Sequence, residues 1–360
     1  LVCEASVALA RQVGYVNAGT VEFLLDVDSG EAYFLEMNTR LQVEHPVTEL
    51  VTRVAGAPLD LVELQLRVAA GEPLTFAQHD VTVVGHAIEA RVYAEDAYAG
   101  FLPQAGTATH VVWPEGEPGV RVDHALESGQ VVSTAYDPML GKVIASGEDR
   151  EEARTRLVAA LDRTAILGLT TNTGYLRALA DTPEFTAGAL DTAWLDHHQL
   201  PQPDDTGALT LAAISLPSPA RGASPWGADG FRSSGGRPAL VEHGRELPAP
   251  HGHWFSGHAD DGLVRYSGDV EPGLGFVHRT PRRTEVVVHG QRFVFAARDT
   301  AWSGTSAGDG TLVSPMPGTV LDVRVAVGAA VAEGDVLGVV EAMKMELALT
   351  APFEIGRAHV

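Results

Sequence analysis

The segment between residues 19 and 49 constrains this chain more than any other. Two strand-like runs, GTVEFLLDV (19–27) and EAYFLEMN (31–38), flank the turn residues Asp28, Ser29 and Gly30. That spacing is the signature of a β-hairpin. A loop centred on Ser29 sets Glu22 opposite Glu36. Like charges opposed across a ladder destabilise it, so this register wants a cation between them. Asn38 and Arg40 continue the Glu36 face by the strand period of two. Two carboxylates and an amide oxygen form a donor set for Mg²⁺ or Mn²⁺, usually shared with nucleotide phosphates. Taken alone, the pattern fits equally well a hairpin whose polar face simply meets water. The next residues add chemistry. In TRLQVEHPVTE (39–49), Arg40, Gln42 and Glu44 alternate along one side. A cation, an amide and a base gathered there can hold a small anion and remove its proton.

Composition removes several classes of function. The 360 residues suit two or three domains of roughly 100–200 residues each. A hydrophobic fraction of 45% supplies cores, and no apolar run approaches the ~18 residues of a membrane span. A net charge of −22 argues against nucleic acid, whose binders neutralise phosphates. Cys3 is the single cysteine, which excludes an internal disulfide and fits a reducing, cytoplasmic setting. Every basic residue is arginine except Lys142 and Lys344.

Along the chain, helical periodicity at 7–13, 58–70 and 150–167 alternates with strand-like runs such as 81–92, an α/β region reaching about residue 200. Pro201, Pro203, Pro217, Pro219 and Pro225 then mark a linker. Short alternating segments at 263–266, 284–288 and 292–296 predict a small β module. Residues 301–310 (AWSGTSAGDG) read as a tether, and 311–351 as short strands with Gly turns at Gly318, Gly328 and Gly334. The start at Leu1, without Met or signal segment, and the tail EIGRAHV (354–360) mark the chain as a piece. The tail matches the translation of a common sequencing adapter and is expected to be non-native.

The run EMNTRLQVEHPVTE (36–49), with GTVEFL (19–24) before it, resembles the ATP-grasp active site of biotin carboxylases. The resemblance implies that Glu22, Glu36 and Asn38 hold Mg²⁺–ATP, with Glu22 and Glu36 as the nucleotide-side carboxylates. Arg40, Gln42 and the backbone of Val43 would bind bicarbonate, and Glu44 would be the base. GHAIEARVYAED (85–96) is similar to the family's second signature, in which Arg91 would stabilise the enolate form of biotin. The plainer reading of Arg91 is an ion pair with Glu89 or Glu95. FLP (101–103) and YDPM (136–139) also match, as structural or interface elements. A Gly-rich phosphate-covering lobe would precede Leu1, and no G-x-x-x-x-G-K-[ST] loop is present. The chain alone is therefore expected not to hydrolyse ATP in a biotin-dependent way.

The second lysine stands in EAMKME (341–346). A lysine on a rigid hairpin tip is placed to carry a covalent arm that raises the effective concentration of what it holds. The motif resembles the biotinyl-attachment site, with SPMPG (314–318) as the start of the same domain; a lipoyl lysine usually sits between Asp and Ala. The second half of that domain would begin near Ala351, so the barrel is expected to lack strand partners and to expose edges. Between these units His243, His251, His253, His258 and His289 lack the tight pairing of a zinc site. WGADGFR (226–232) resembles the entry to the subunit-tethering domain of acyl-CoA carboxylase α chains. The ~100-residue middle is too short for the ~250-residue barrel of pyruvate carboxylase.

The sequence thus predicts an α+β multidomain chain. It comprises the end of an ATP-grasp domain (1–50), a biotin carboxylase C-terminal domain (51–200) and a β-rich middle domain (201–300). A tether (301–310), a truncated hammerhead-type biotinyl β-barrel (311–353) and the non-native tail (354–360) complete it. The expected cofactors are ATP, Mg²⁺ or Mn²⁺, and biotin on Lys344. The expected partners are a carboxyltransferase β subunit, a biotin protein ligase and a second copy of the carboxylase part, with no nucleic acid and no membrane. The alternatives are a biotinylated carrier without catalysis, pyruvate carboxylase, and another ATP-grasp ligase such as a carbamoyl-phosphate synthetase relative.

Overall fold

The computed structural model describes residues 2–215 except 27, 134, 135 and 192. Beyond them it describes 240–242, 245–247, 254–258, 262–268, 274–280, 283–296, and 319–351 without 327, 333, 343 and 344. Two compact units emerge: residues 1–90 with 118–121 and 144–157, and residues 91–117 with 122–143 and 158–360.

The first unit opens with helix α1 (Val2–Gln12) and the hairpin of β1 (Thr20–Leu25) and β2 (Ala32–Asn38). Asp26 builds the turn. Its Oδ1 accepts from the backbone N–H groups of Asp28 (2.9 Å) and Ser29 (3.2 Å), and Gly30 supplies the positive φ of 73°. Those N–H groups also hold the Asp26 carboxyl below its usual range. Near the turn the strands pair one residue off a Ser29-centred loop, with Phe23 opposite Phe34. A bulge at Leu35 then absorbs one residue, so that Glu22 faces Glu36 and Thr20 faces Asn38.

Downstream, α2 (His45–Val51) carries Pro46 in its first turn, and α3 (Leu61–Ala69) is capped by Asp60, whose Oδ1 accepts from Glu63 N–H at 2.7 Å. Glu49, 6% exposed, ties these pieces together. Its carboxylate accepts from Leu61 N–H (2.8 Å), from Arg121 (2.6 Å) and from His45 Nδ1 (3.0 Å). Burial alone would raise its pKa, but the Arg121 and His45 bonds outweigh burial and hold it below the usual value.

In the second unit a five-stranded antiparallel meander runs through Trp254–His258, Leu263–Gly268, Leu274–Arg279, Arg283–Val288 and Gln291–Ala296. The helix Thr206–Ile214 packs Ala208, Leu211 and Ala212 against Tyr266, Val277, Val286 and Val288. Ala165 and Leu167 pack with Leu263, Phe276 and Val287. Both faces are thus covered, which explains why Val286, Val287 and Val288 run without the polar alternation expected of a half-exposed strand. Gly275 lets the helix approach closely, because a Cβ there would press on the end of the Leu211 side chain. The helical periodicity over 150–167 resolves into α4 (Arg150–Asp162) and a separate buried strand, Ala165–Leu167, paired with His110–Val112.

Towards the C-terminus, three antiparallel strands, Thr319–Val323, Val336–Ala342 and Met345–Thr350, lie in chain order. Val331, Leu337 and Ala351 form their small core, while every residue of Thr319–Val323 is exposed.

Candidate active site

The paired carboxylates meet at a single nitrogen. Asn38 Nδ2 donates to Glu22 Oε1 at 2.7 Å and to Glu36 Oε1 at 3.1 Å. The sequence reading placed the amide oxygen beside the carboxylates; in the structure the two N–H bonds of the amide fill that role. The reason is electrostatic, since two acceptor-only groups opposed across a ladder need donors between them. Asn38 Oδ1 in turn accepts from Arg40 at 3.4 Å, and Arg40 donates to Gln42 Oε1 at 2.7 Å. One hydrogen-bonded chain therefore joins Glu22 and Glu36, through Asn38 and Arg40, to Gln42. Two carboxylate oxygens within reach of one atom fit a divalent cation, with the amide turned to present Oδ1 as a third donor.

Arg40, Gln42 and Glu44 line one pocket of about 360 Å³ together with Gly19, His45 and Thr48. Glu22 and Glu36 lie outside its lining. Glu44 occupies the N-cap position of α2 without its side chain capping the helix. Val43 is half-buried in the turn just before it. His45 Nδ1 is held by Glu49, so an imidazole fixed by a buried carboxylate stands beside the candidate base. Neither His45 nor Glu49 stands out in the sequence as a site residue, although their four-residue spacing puts them on one helix face.

Arg91 belongs to the second unit, on the strand His86–Tyr93. Around it cluster Tyr93, Glu95 and Asn172. Burial raises the pKa of Tyr93, as does the charge of Asp137, and the charge and hydrogen bond of Arg91 oppose them. Burial likewise raises the Glu95 carboxyl, against a bond from Asn172. Of the two lysines, Lys142 is 8% exposed and paired with Asp123 at 3.3 Å, a structural ion pair. Lys344 lies outside the described residues, as do WGADGFR, the tether, SPMPG and the tail; the flanking strands pair up to Ala342 and Met345. Among the described residues no group of three His, Cys, Asp or Glu side chains could hold a metal, and His289 bonds Asp162 at 2.8 Å. No helix among them is long and apolar enough to cross a membrane.

Residues 1–77 match the family described as "Carbamoyl-phosphate synthase L chain, ATP binding domain", residues 89–197 the "Biotin carboxylase C-terminal domain", and residues 310–356 the "Biotin-requiring enzyme" family. The chain thus matches, in series, an ATP-binding, a biotin carboxylase C-terminal and a biotin-requiring segment. It is similar both to methylcrotonoyl-CoA carboxylase α subunits and to chloroplastic biotin carboxylases. It is 33% identical to the methylcrotonoyl-CoA carboxylase subunit alpha of Dictyostelium discoideum over 98% of this chain and 56% of that protein. Against the Arabidopsis thaliana subunit, identity is 47% over 54% of this chain and 26% of that protein. Among solved structures, the biotin carboxylase domain of Hydrogenobacter thermophilus 2-oxoglutarate carboxylase, in complex with MgADP, ADP and bicarbonate, is 38% identical. It covers 55% of this chain and 43% of that one with a TM-score of 0.51. The chain spans about a quarter to just over half the length of these curated relatives.

Proposed function

We propose that this chain is part of the α subunit of an acyl-CoA carboxylase. ATP and bicarbonate carboxylate a biotin carried on Lys344, and a separate carboxyltransferase β subunit passes the carboxyl group to an acyl-CoA. The observation that carries this reading is the gathering of Arg40, Gln42 and Glu44 around one small pocket, with Arg40 and Gln42 bonded through Asn38 to the paired carboxylates. The match to methylcrotonoyl-CoA carboxylase α subunits, which runs across 98% of the chain, supports the acyl-CoA class.

In this reading Arg40 pairs with the negative oxygens of bicarbonate, with Gln42 and the Val43 backbone completing the contacts. Glu44 takes the bicarbonate proton, a role that typically contributes about 10²–10⁴ in rate. The oxyanion so formed attacks the terminal phosphorus of ATP, giving carboxyphosphate and ADP. Mg²⁺, held by Glu22, Glu36 and Asn38, would neutralise charge on the phosphates when bound. Arg91 is assigned to hold negative charge on the ureido oxygen of biotin. A biotin protein ligase, a second copy of the carboxylase part and a cytoplasmic setting complete the proposal.

The test is fixation of labelled bicarbonate by the full-length polypeptide together with its β subunit, offered methylcrotonoyl-, propionyl- and acetyl-CoA. ATP-dependent fixation into one of them, abolished by Lys344→Arg along with the streptavidin signal, is the expected result. Fixation into pyruvate alone, or biotinylation that survives Lys344→Arg, overturns the reading.

A further inference from the structure

We propose that Asn172 is a positioning residue for Arg91. It is 4% exposed and stands at the N-cap of α5 (Thr173–Ala180), yet its side chain makes no capping bond. Its side-chain amide is turned instead on the strand that carries Arg91 and on Glu95 just beyond it. Oδ1 accepts from Tyr93 N–H at 2.9 Å. Nδ2 donates to the Arg91 carbonyl at 3.2 Å and to Glu95 Oε1 at 2.8 Å. The backbone N–H of Asn172 donates to the Tyr93 carbonyl at 3.1 Å. One buried residue thus imitates a neighbouring strand from the Arg91 carbonyl to the Tyr93 carbonyl, and so holds the backbone from which the Arg91 side chain departs. Thr171 and Thr173, whose hydroxyls bond each other at 2.9 Å, brace it on both sides.

The site demands an amide. A carboxylate at 172 would set acceptor against acceptor at the Arg91 carbonyl and at Glu95, whereas Asn supplies both donors and the one acceptor. Hydroxyl and aliphatic side chains satisfy fewer of the three bonds, and each buried group left without a partner is destabilising.

The inference rests on the assignment of Arg91 to the biotin step, and the experiment separates the two. On the full-length polypeptide, phosphate release from ATP is measured with bicarbonate alone and with added free biotin. Asn172→Asp should lower kcat/KM for biotin by about tenfold or more while the biotin-independent rate stays within about twofold, because misplacement of a catalytic group costs in its own step. Adding Glu95→Gln, which returns a donor to the pair, should recover much of the loss. Asn172→Ser, which brings no charge, must show the same split should the aspartate variant fold poorly. Equal loss of both rates, or no loss in either, overturns the inference. Arg91→Lys is the separate control: if it leaves the biotin-dependent rate unchanged, the assignment of Arg91 falls. If Arg91→Lys gives the split and the Asn172 variants do not, only the positioning role falls.

Discussion

Glu285→Ala should unlock the β meander. Glu285 is 1% exposed and lies on the strand Arg283–Val288. Its carboxylate accepts from Arg292 Nε at 2.7 Å, from Arg283 at 2.8 Å and from Gly168 N–H at 2.9 Å. The last bond ties the meander to the end of the Ala165–Leu167 strand. Arg283 is 44% exposed, so its share is small, at most about 1 kcal/mol. Arg292 is 11% exposed, and stranding it in a dry site costs most of the ~3–5 kcal/mol typical of breaking a buried pair. The orphaned Gly168 N–H adds part of a further ~1–3 kcal/mol. These terms overlap, and about 4 kcal/mol is the expected total, some three decades in an opening equilibrium. Native-state hydrogen exchange on peptides from 283–296 measures it directly. A fall in protection below about tenfold would refute the assignment of the stabilisation to this carboxylate. The double variant Glu285→Met/Arg292→Leu removes both charges and should recover most of the protection. Burial alone would raise the Glu285 pKa, but Arg292 holds it below the usual range. The stabilisation is therefore complete above the unfolded-state value of about 4.3 and is lost as pH falls through the lower folded-state value.

Other outcomes follow from the same geometry. Glu44→Gln, in the full-length polypeptide, should lower bicarbonate-dependent ATP turnover by about 10²–10⁴ with a far smaller loss of thermal stability than a core substitution, because Glu44 is exposed. A loss of Tm comparable to that of a core substitution would place Glu44 in the fold and not in the chemistry. Glu49 also has a depressed pKa, with burial opposed by Arg121 and His45, so its contribution is present above about pH 4.3 and fades as pH falls below that. Glu49→Gln should flatten this acid limb of the stability curve, read by unfolding midpoints between pH 3 and 6; an unchanged limb would show that the network adds no proton-linked stability.

What the sequence made legible was the part governed by local periodicity. Strand alternation put Glu36, Asn38 and Arg40 on one face, the hairpin count added Glu22, and the ladder does set Glu22 opposite Glu36. The simple hairpin count reached that pairing although the turn sits one residue out of register, because the bulge at Leu35 restores it. Nothing in the strand pattern announces such a bulge, which shows only in the paired ladder. The same limit hid the orientation of Asn38, since which end of an amide faces two carboxylates depends on what else occupies the site. It hid the second covered face of the meander, which only contact with residues far away in sequence creates. It hid Asn172 most completely. In the sequence this is one Asn ahead of a helix, the commonest place for a cap. In the structure, a chain separation of about eighty residues turns the same amide away from its own helix and onto the strand of Arg91. Residues that perform chemistry must be of particular types and so leave motifs. Residues that aim them need only be in the right place, and that place exists only after the chain has folded.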